Sequence, residues 1–556
     1  MAPRPSFTGR EPGAVSPGWT VASYLRRVEE EIARGEAREE SFYPFLAGLL
    51  ETAAGSLGRP EVRATVIPRK TEACLLDLQI RDGNGIVGYL EAKRPGADLD
   101  HAEDSEQVRR YRQTFPNLFL TDFLEIRLFR RGERVGTARI DGPGGDERLL
   151  ALFGDFLAFR APRLQSAAAL AGSLAGRARV LAARIEERLQ RERSGEAPSR
   201  LSGFYEAFRR YLLSGLDIRQ FSDLYAQTIT YGLLAARWRM PDGAAFDRRS
   251  AFERVPLASG ILRDVFQYIS IGAVPPEVDW IVEDLVDLLR QSSVPEPKRF
   301  QTQRREKDHE KDPVLHFYET FLRCYDPELR KRRGVFYTPL PVVSWVVRSV
   351  DLLLRTRLGR PLGLADSGVR LLDPAAGTMT FVVEACRLAV ETWRRERGGA
   401  AVPPLLREHL LPHFFGFELM MAPYAIGHLQ MSRFLEAHGY RPAEGERVNL
   451  YLTDALGWEE SRQTTLPYVD ALAGEAQAAD RVKQEERVCV LIGNPPWAGH
   501  SANPDAFYNS LLDGYRLDDG QADEGYFKVD GEALGERNLK WLRDDYVKFL
   551  RFAQWK

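Results

Sequence analysis

Ile492-Gly-Asn-Pro-Pro-Trp497 places an amide, a backbone stiffened by two prolines and an indole next to one another. Two prolines after a buried strand fix φ and remove backbone donors, so the loop presents its groups in one arrangement. Asn494 and the carbonyl of Pro495 can then accept both hydrogens of an exocyclic amine, while Trp497 stacks on the base that carries it. The plain alternative is a simple proline turn after Pro496. A second grouping, Asp373-Pro-Ala-Ala-Gly-Thr-Met-Thr-Phe381, combines a strand end, a small-residue turn and a helix start. Backbone N–H groups in that geometry meet an anionic or polar ligand, although taken alone the segment also reads as a tight turn. The third grouping is Asp77 on one strand with Glu91 and Lys93 two apart on the next, hence on one face of a sheet. Two carboxylates can hold a divalent cation, and a lysine beside them can position water and a scissile phosphate. Its bland counterpart is a surface ion pair on an edge strand.

The elements that must carry these groups are visible as patterns. Trp19 to about Gly58 reads as helical through Tyr43, Phe45, Leu46, Leu49 and Leu50. Cys74–Ile80 and Ile86–Lys93 read as two strands joined by a Gly/Asn/Asp turn, followed by a helix over Glu103–Gln113 and a strand pair over Leu118–Arg130. Asp141–Asp146 reads as a domain edge. Residues 165–193 are Ala/Leu/Arg/Glu-rich at helical spacing, and helical patterning continues to about Ser293. Pro295–Lys311 is charged and nearly free of apolar residues, a solvated linker by composition. Beyond it, four apolar runs stop at a polar residue, at Asp373, Glu418, Asp454 and Asn494, about 40 residues apart. That spacing leaves room for a crossover helix between parallel strands, which takes ~30 residues per unit. The expected fold class is multidomain α/β, and in an open parallel sheet ligands sit beyond the carboxyl ends, where these four residues would lie.

Composition sets the outer bounds. At 556 residues the chain exceeds what one core usually organises, and 44% hydrophobic with 28% charged residues excludes global disorder. Lys plus Arg (77) nearly balance Asp plus Glu (79), so contact with nucleic acid requires a local basic cleft. Cys74, Cys324, Cys386 and Cys489 are scattered, with no CxxC pair, which argues against structural zinc and for a reducing compartment. The Pro/Gly-rich start is not a signal peptide, and no run reaches the ~18 apolar residues of a membrane span. A cytoplasmic protein with no membrane partner is expected.

The later motifs resemble the amino-methyltransferases that methylate adenine in DNA, in the class whose cofactor motif precedes the catalytic motif. The matches are Gly334-Val-Phe-Tyr-Thr-Pro339, Asp373–Phe381, Phe415-Gly-Phe-Glu418, Thr453-Asp454 and Asn494-Pro-Pro-Trp497, in the family's order. The resemblance implies a Rossmann-like core binding S-adenosyl-L-methionine through Phe336, Tyr337, Thr338, Pro339, Asp373, Ala375, Gly377, Thr378 and Phe381, with Glu418 on the ribose hydroxyls and Asp454 on the cofactor's adenine amine. It implies catalysis by Asn494, Pro495, Pro496 and Trp497 on an adenine flipped out of double-stranded DNA. Met379 stands where the family usually has a second glycine, and its side chain is expected to crowd the cofactor loop.

Residues 40–130 resemble the PD-(D/E)xK nuclease domains of restriction enzymes, with Leu76 where the family name expects proline. The resemblance implies a Mg2+-dependent nuclease with Asp77 and Glu91 as metal ligands, Lys93, Gln107 and Tyr111 beside them, and Glu40 on the first helix as a further carboxylate, Glu39 and Glu51 being alternatives. The expected layout is a disordered start at 1–19, a nuclease-like domain at 20–145, a helical connector at 160–293, a charged linker at 294–312 and a methyltransferase core at 313–556. The combination is similar to single-chain restriction-modification or phage-defence enzymes of the type IIG or type ISP kind; the lack of a G-x-x-x-x-G-K-[ST] loop favours the type IIG layout. Leu534–Arg551 reads as a helix leading onward, and the chain ends at Lys556 without the further strands and target-recognition domain of such enzymes. The expectation is an incomplete core, either a fragment or a chain needing a separate C-terminal or specificity polypeptide. Two alternatives stand beside the fused enzyme: a nuclease whose methyltransferase region only senses cofactor, and an inactive remnant or subunit that binds DNA or a partner.

Overall fold

The computed structural model describes residues 20–35, 37–67, 76–83, 85–142, 144–159, 166–213, 215–240, 244–254, 261, 276–292, 313–326, 338–398, 402–443, 446–457, 470–496, 506–516, 522–523, 525–535 and 539–556. The start at 1–19 and the charged linker at 294–312 lie outside the described residues. The chain divides into two compact units, Met1–Pro162 and Arg163–Lys556.

In the first unit, α1 (Val21–Ala33) and α2 (Tyr43–Ser56) precede a six-stranded sheet. The helical run expected from Trp19 to Gly58 is broken: Gly35, at φ +75°, follows the end of α1, a 3-10 turn covers Glu39–Phe42, and Pro44 opens α2. The strands β1 (Val62–Val66), β2 (Leu78–Asp82), β3 (Gly85–Ala92), β4 (Asn117–Thr121), β5 (Glu125–Arg130) and β6 (Glu133–Arg139) lie in chain order across the sheet. β3 and β4 are parallel and the other neighbours antiparallel. The parallel pair needs a crossover, which α3 (Leu99–Asp104) and α4 (Glu106–Thr114) supply.

Alternation along the strands sends Leu78, Ile80 and Leu90 into a core shared with Leu46, Leu50 and Phe153. The domain edge expected near residue 145 is not there. Helix α5 (Gly145–Ala158) turns back onto the sheet, stacking Phe156 on Phe119 at 4.2 Å between ring centroids. An amphipathic helix with buried Leu149, Phe153 and Phe156 has to cover apolar surface, so the unit closes only after it.

The second unit begins with α6 (Ala167–Arg193), α7 (Arg200–Tyr211), α8 (Ile218–Trp238) and α9 (Arg248–Arg254), then helices Pro276–Gln291 and Pro313–Tyr325. The helical connector does not stand apart. α6 packs on α8, and α8 packs on helix Met421–Ala437 of the sheet region. A buried Arg177–Asp284 ion pair and a Tyr325 hydroxyl donating to Asp223 at 2.6 Å tie the helices together.

Strands β7 (Leu371–Asp373), β8 (Phe414–Glu418), β9 (Leu450–Leu452) and β10 (Val490–Leu491) form a parallel sheet in the order β10-β7-β8-β9. The chain steps outward from β7 to β9 and then returns to the opposite flank of β7. This reversal opens a crevice at the carboxyl ends of β7 and β10. Two small hairpins, Tyr515–Arg516 with Ala522–Asp523 and Lys528–Val529 with Glu532–Ala533, follow. The last helix spans Asp545–Trp555 rather than starting at Leu534, because the Asp544 side chain accepts the Tyr546 N–H (3.0 Å) and caps it there.

Placing α5 in the first core has a measurable consequence. Phe156→Ala should destabilise the first unit by about 3 kcal/mol. Hydrogen exchange on the intact chain should then show faster exchange in β3 and β4 and unchanged protection in β7 and β8; unchanged β3 and β4 would remove α5 from that core.

Candidate functional site

Asp77 directly precedes β2, and Glu91 lies one residue before the end of β3. The Asp77 N–H donates to the Leu90 carbonyl (2.9 Å) and its Oδ2 accepts from the Ala92 N–H (2.5 Å), so contacts to β3 flank Glu91 on both sides. The two carboxylates are 0% and 1% exposed. An exposed ion pair on an edge strand is therefore ruled out: β3 is interior to the sheet, and Glu91 is buried in it. Lys93 Nζ donates to Glu91 Oε1 at 2.6 Å, and Gln107 Nε2 donates to the same oxygen at 2.8 Å. Gln107 comes from α4, whose start is capped by Ser105 accepting the Val108 N–H. One turn on, Tyr111 is buried with its ring 6.1 Å from Phe115.

Glu40 sits in the 3-10 helix Glu39–Phe42 rather than on an α-helix, and its neighbour Glu39 is linked to this cluster through Tyr43. The Tyr43 hydroxyl lies 2.7 Å from Asp77 Oδ1 and 2.9 Å from Glu39 Oε1. Glu51 instead accepts the Ala64 N–H of β1. The apolar spacing marks Tyr43 only as part of a helical stripe; its spacing of four from Glu39 is the signal in the sequence for this contact. Among the described residues no group of three or more His, Cys, Asp or Glu side chains is arranged to hold a metal. Two buried carboxylates do fit Mg2+, which commonly takes one or two protein carboxylates and completes its shell with water and substrate phosphate.

In the second unit the four polar strand ends stand where the rhythm of the sequence puts them. Asp373 ends β7, Glu418 ends β8, and Asp454 and Asn494 follow β9 and β10. The Asp373 Oδ1 accepts the Ala375 N–H (3.1 Å), while among the described residues no group hydrogen-bonds to its buried Oδ2. Burial, with a smaller contribution from nearby Glu418, pushes the Asp373 carboxyl up to about 8. Gly493 is pressed against this carboxylate so closely that any side chain there would collide with it. Asn494 is exposed at the crevice, and its Nδ2 donates to Thr338 Oγ1 (3.2 Å), joining residues 156 positions apart. Pro339 occupies the N-cap position of helix Leu340–Thr356, so Thr338 stands directly before that helix. Pro495 and Pro496 are half-buried. Phe336, Tyr337 and Trp497 lie outside the described residues.

The loop after β7 is pinned from beneath. The Ala376 N–H donates to the Phe417 carbonyl (2.8 Å), and Gln430 Nε2 donates to the Thr378 carbonyl (3.0 Å). Thr378 and Thr380 share a hydroxyl contact at 3.0 Å, and Phe381 is buried in the first turn of helix Thr380–Arg397. Gly377 is left-handed (φ +54°) with open space where a Cβ would stand. Met379 is also left-handed (φ +61°), the backbone a glycine would give.

Its side chain does not crowd the loop. Met379 is fully buried under it, in space left by glycines: a Cβ added at Gly427 would come within 3.0 Å of Met379 Cγ, and one at Gly416 within 3.9 Å of Cε. Glu418 Oε1 accepts the Met420 N–H (2.7 Å), and Asp454 Oδ1 accepts the Leu456 N–H (2.9 Å). Tyr318, from helix Pro313–Tyr325, is buried with its hydroxyl unpartnered among the described residues, and Glu418 adds to the burial that raises its phenol. An orphaned buried carboxylate oxygen beside an open left-handed glycine fits a ligand carrying a cationic amine.

Residues 309–511 match the family model described as N-6 DNA Methylase. No match is found among curated proteins. Among solved structures, a DrdV–DNA complex shares 20% identity over 96% of this chain and 48% of that chain, with a TM-score of 0.48. The ATP-dependent type ISP restriction-modification enzyme LlaBIII bound to DNA shares 16% identity over 73% of this chain and 25% of its own, with a TM-score of 0.49. A nuclease-deletion mutant of the type ISP enzyme LlaGI with a DNA substrate mimic shares 18% identity over 72% and 30%, with a TM-score of 0.47. The chain thus spans about half the length of the DrdV chain and less of the other two. Among the described residues no helix is long and apolar enough to cross a membrane.

The raised Asp373 carboxyl is a pH-dependent liability. Its folded value, about 8, exceeds the unfolded value near 3.9, so its stabilising contribution is complete below about pH 4 and is lost as pH rises through about 8. Asp373→Asn should gain stability relative to the parent between pH 5 and pH 9, by up to about 5 kcal/mol. Melting temperatures across that range should diverge; parallel curves would mean that Asp373 titrates normally.

Proposed function

We propose that the second unit transfers a methyl group to the exocyclic amine of adenine in double-stranded DNA, and that the first unit is a Mg2+-dependent DNA endonuclease on the same chain. Together they make a cytoplasmic restriction-modification or phage-defence enzyme of type IIG layout, with 313–556 as the methyltransferase core. The carrying observation is the Asn494 amide, hydrogen-bonded to Thr338 at the crevice where the Asp373 carboxylate presents an unpartnered oxygen. The match of residues 309–511 to the methylase family supports the same reading.

S-adenosyl-L-methionine supplies a methyl group bound to a sulfonium. Asp373 would hold the methionine end, together with the loop from Ala375 to Thr378; Glu418 would take the ribose hydroxyls and Asp454 the adenine amine. Because the Asn494 nitrogen already donates to Thr338, its carbonyl oxygen is turned to accept. That oxygen and the Pro495 carbonyl would take the two amine hydrogens of a flipped adenine, drawing electron density onto the nitrogen and aiming it at the methyl group. Trp497 would stack on the base once it has left the duplex. Direct displacement of this kind needs no covalent enzyme intermediate.

In the first unit, Asp77 and Glu91 would hold Mg2+, which supplies Lewis-acid stabilisation of the phosphate and activation of water. Lys93 would stand beside the scissile phosphate, and Gln107 would fix the rotamer of Glu91 from α4. Tyr43, between Asp77 and Glu39, couples the start of α2 to the same carboxylates.

Asn494→Ala should lower the transfer of labelled methyl to DNA by roughly 100-fold or more while calorimetric binding of S-adenosylmethionine persists. A variant that methylates normally would make the assignment of the target-base pocket wrong. Lys93→Ala should abolish Mg2+-dependent cutting and leave methylation intact, and cutting that survives this change would place the nuclease centre elsewhere.

A further inference from the structure

Lys483 lies in the last turn of helix Asp470–Gln484 and is 3% exposed. Its ammonium reaches the loop that follows β9: Nζ is 2.9 Å from Thr453 Oγ1, 2.9 Å from the Asp454 carbonyl and 3.1 Å from the Gly457 carbonyl. An ammonium has three N–H groups, and three oxygens of one short segment lie within its reach. The contacts fall on Thr453, Asp454 and Gly457, so they bracket the turn that the Gly457 N–H closes by donating to the Asp454 carbonyl (3.1 Å). The Asp480 carboxylate is farther away, at 3.6 Å.

The lysine is also held from behind. Its own carbonyl accepts Lys556 Nζ (3.0 Å), and its ammonium lies 5.8 Å from the centre of the Phe417 ring of β8. The loop is closed elsewhere by Tyr508 donating to the Ala455 carbonyl (2.7 Å) and by the Thr453 N–H donating to the Glu418 carbonyl (2.9 Å). Within the segment gripped by Lys483, the Asp454 carboxylate is oriented by the Leu456 N–H. A buried charge is costly, and an apolar residue of similar volume would serve packing as well or better. The cost is explained if the charge fixes a loop whose position matters.

We infer that Lys483 is a positioning residue for purine selection: it holds the Thr453–Gly457 loop so that Asp454 accepts from the exocyclic amine of the adenine ring of the bound nucleoside. The inference rests on the reading of this unit as an S-adenosylmethionine-dependent enzyme, and it adds a residue and a selectivity to that reading. Arginine cannot replace the lysine, because a planar fork does not reproduce a three-point contact to oxygens of one short segment.

The test is calorimetric titration of S-adenosylhomocysteine and of its hypoxanthine counterpart, S-inosylhomocysteine, into the intact chain and its Lys483→Met, Thr453→Val and Asp454→Ala variants. The parent should prefer the adenine compound by at least about tenfold, a discrimination expected for a site built to accept from the amine. Lys483→Met should lose about tenfold of that preference and Thr453→Val part of it, with Asp454→Ala as the limit. If Lys483→Met does not fold, Thr453→Val, which removes one of the three contacts, decides. A preference kept in the Lys483 and Thr453 variants, or both ligands weakened equally, overturns the role for Lys483 while leaving the cofactor reading intact. A parent that binds neither compound overturns the cofactor reading itself and this inference with it, whereas a parent that binds both alike overturns the purine selection and leaves the cofactor reading intact.

Discussion

A carboxylate with one hydrogen-bonded oxygen and one orphaned oxygen, buried at the carboxyl end of β7, governs the second unit. Asp373 excludes a side chain at Gly493, so the backbone leading to Asn494 approaches the carboxylate closely. It takes the Ala375 N–H and so starts the turn before helix Thr380–Arg397. Its desolvation pushes the carboxyl up to about 8, and a cationic group placed against the orphaned oxygen would favour the charged form. A fold optimised for stability alone would have an apolar residue there, and the desolvation cost falls where the strand order reverses and a crevice opens.

The loop over that crevice shows how a methionine can occupy a position whose backbone suits glycine. Judged as a local substitution, methionine in place of glycine threatens both the left-handed backbone and the space above it. The backbone stays left-handed at Met379, and the bulk is taken up below, where Gly416 in β8 and Gly427 in the next helix leave room for the thioether. The flexible, unbranched side chain of methionine suits such an irregular gap. The result keeps the glycine-like path of the loop, and neither compensating residue is close to Met379 in the sequence.

The first unit depends on a comparable constraint, two carboxylates buried side by side at the end of a sheet. Their desolvation is offset by convergent donors: Tyr43 and the Ala92 N–H on Asp77, Lys93 and Gln107 on Glu91. Strand alternation then decides everything around them, since the face carrying Leu78, Ile80 and Leu90 is packed under α2 and α5, while Tyr89 and Glu91 turn to the side covered by α4. Helices on both sides of the sheet are what make these carboxylates interior.

Periodicity and punctuation carried the local part of this architecture. The four strand ends at Asp373, Glu418, Asp454 and Asn494, the two-residue spacing of Glu91 and Lys93, and the four-residue spacing of Gln107 and Tyr111 are all written in neighbouring residues, because the periods of strand and helix are short. What the sequence by itself could not decide are the pairings between distant segments. The link between Asn494 and Thr338, the link of Glu39 to Asp77 through Tyr43, the return of α5 to the first core, the seat for Met379 and the grip of Lys483 on the Asp454 loop each join elements whose relative placement is set by packing. Side-chain contacts across such separations depend on which faces are buried against which, and that is fixed only when the whole core closes.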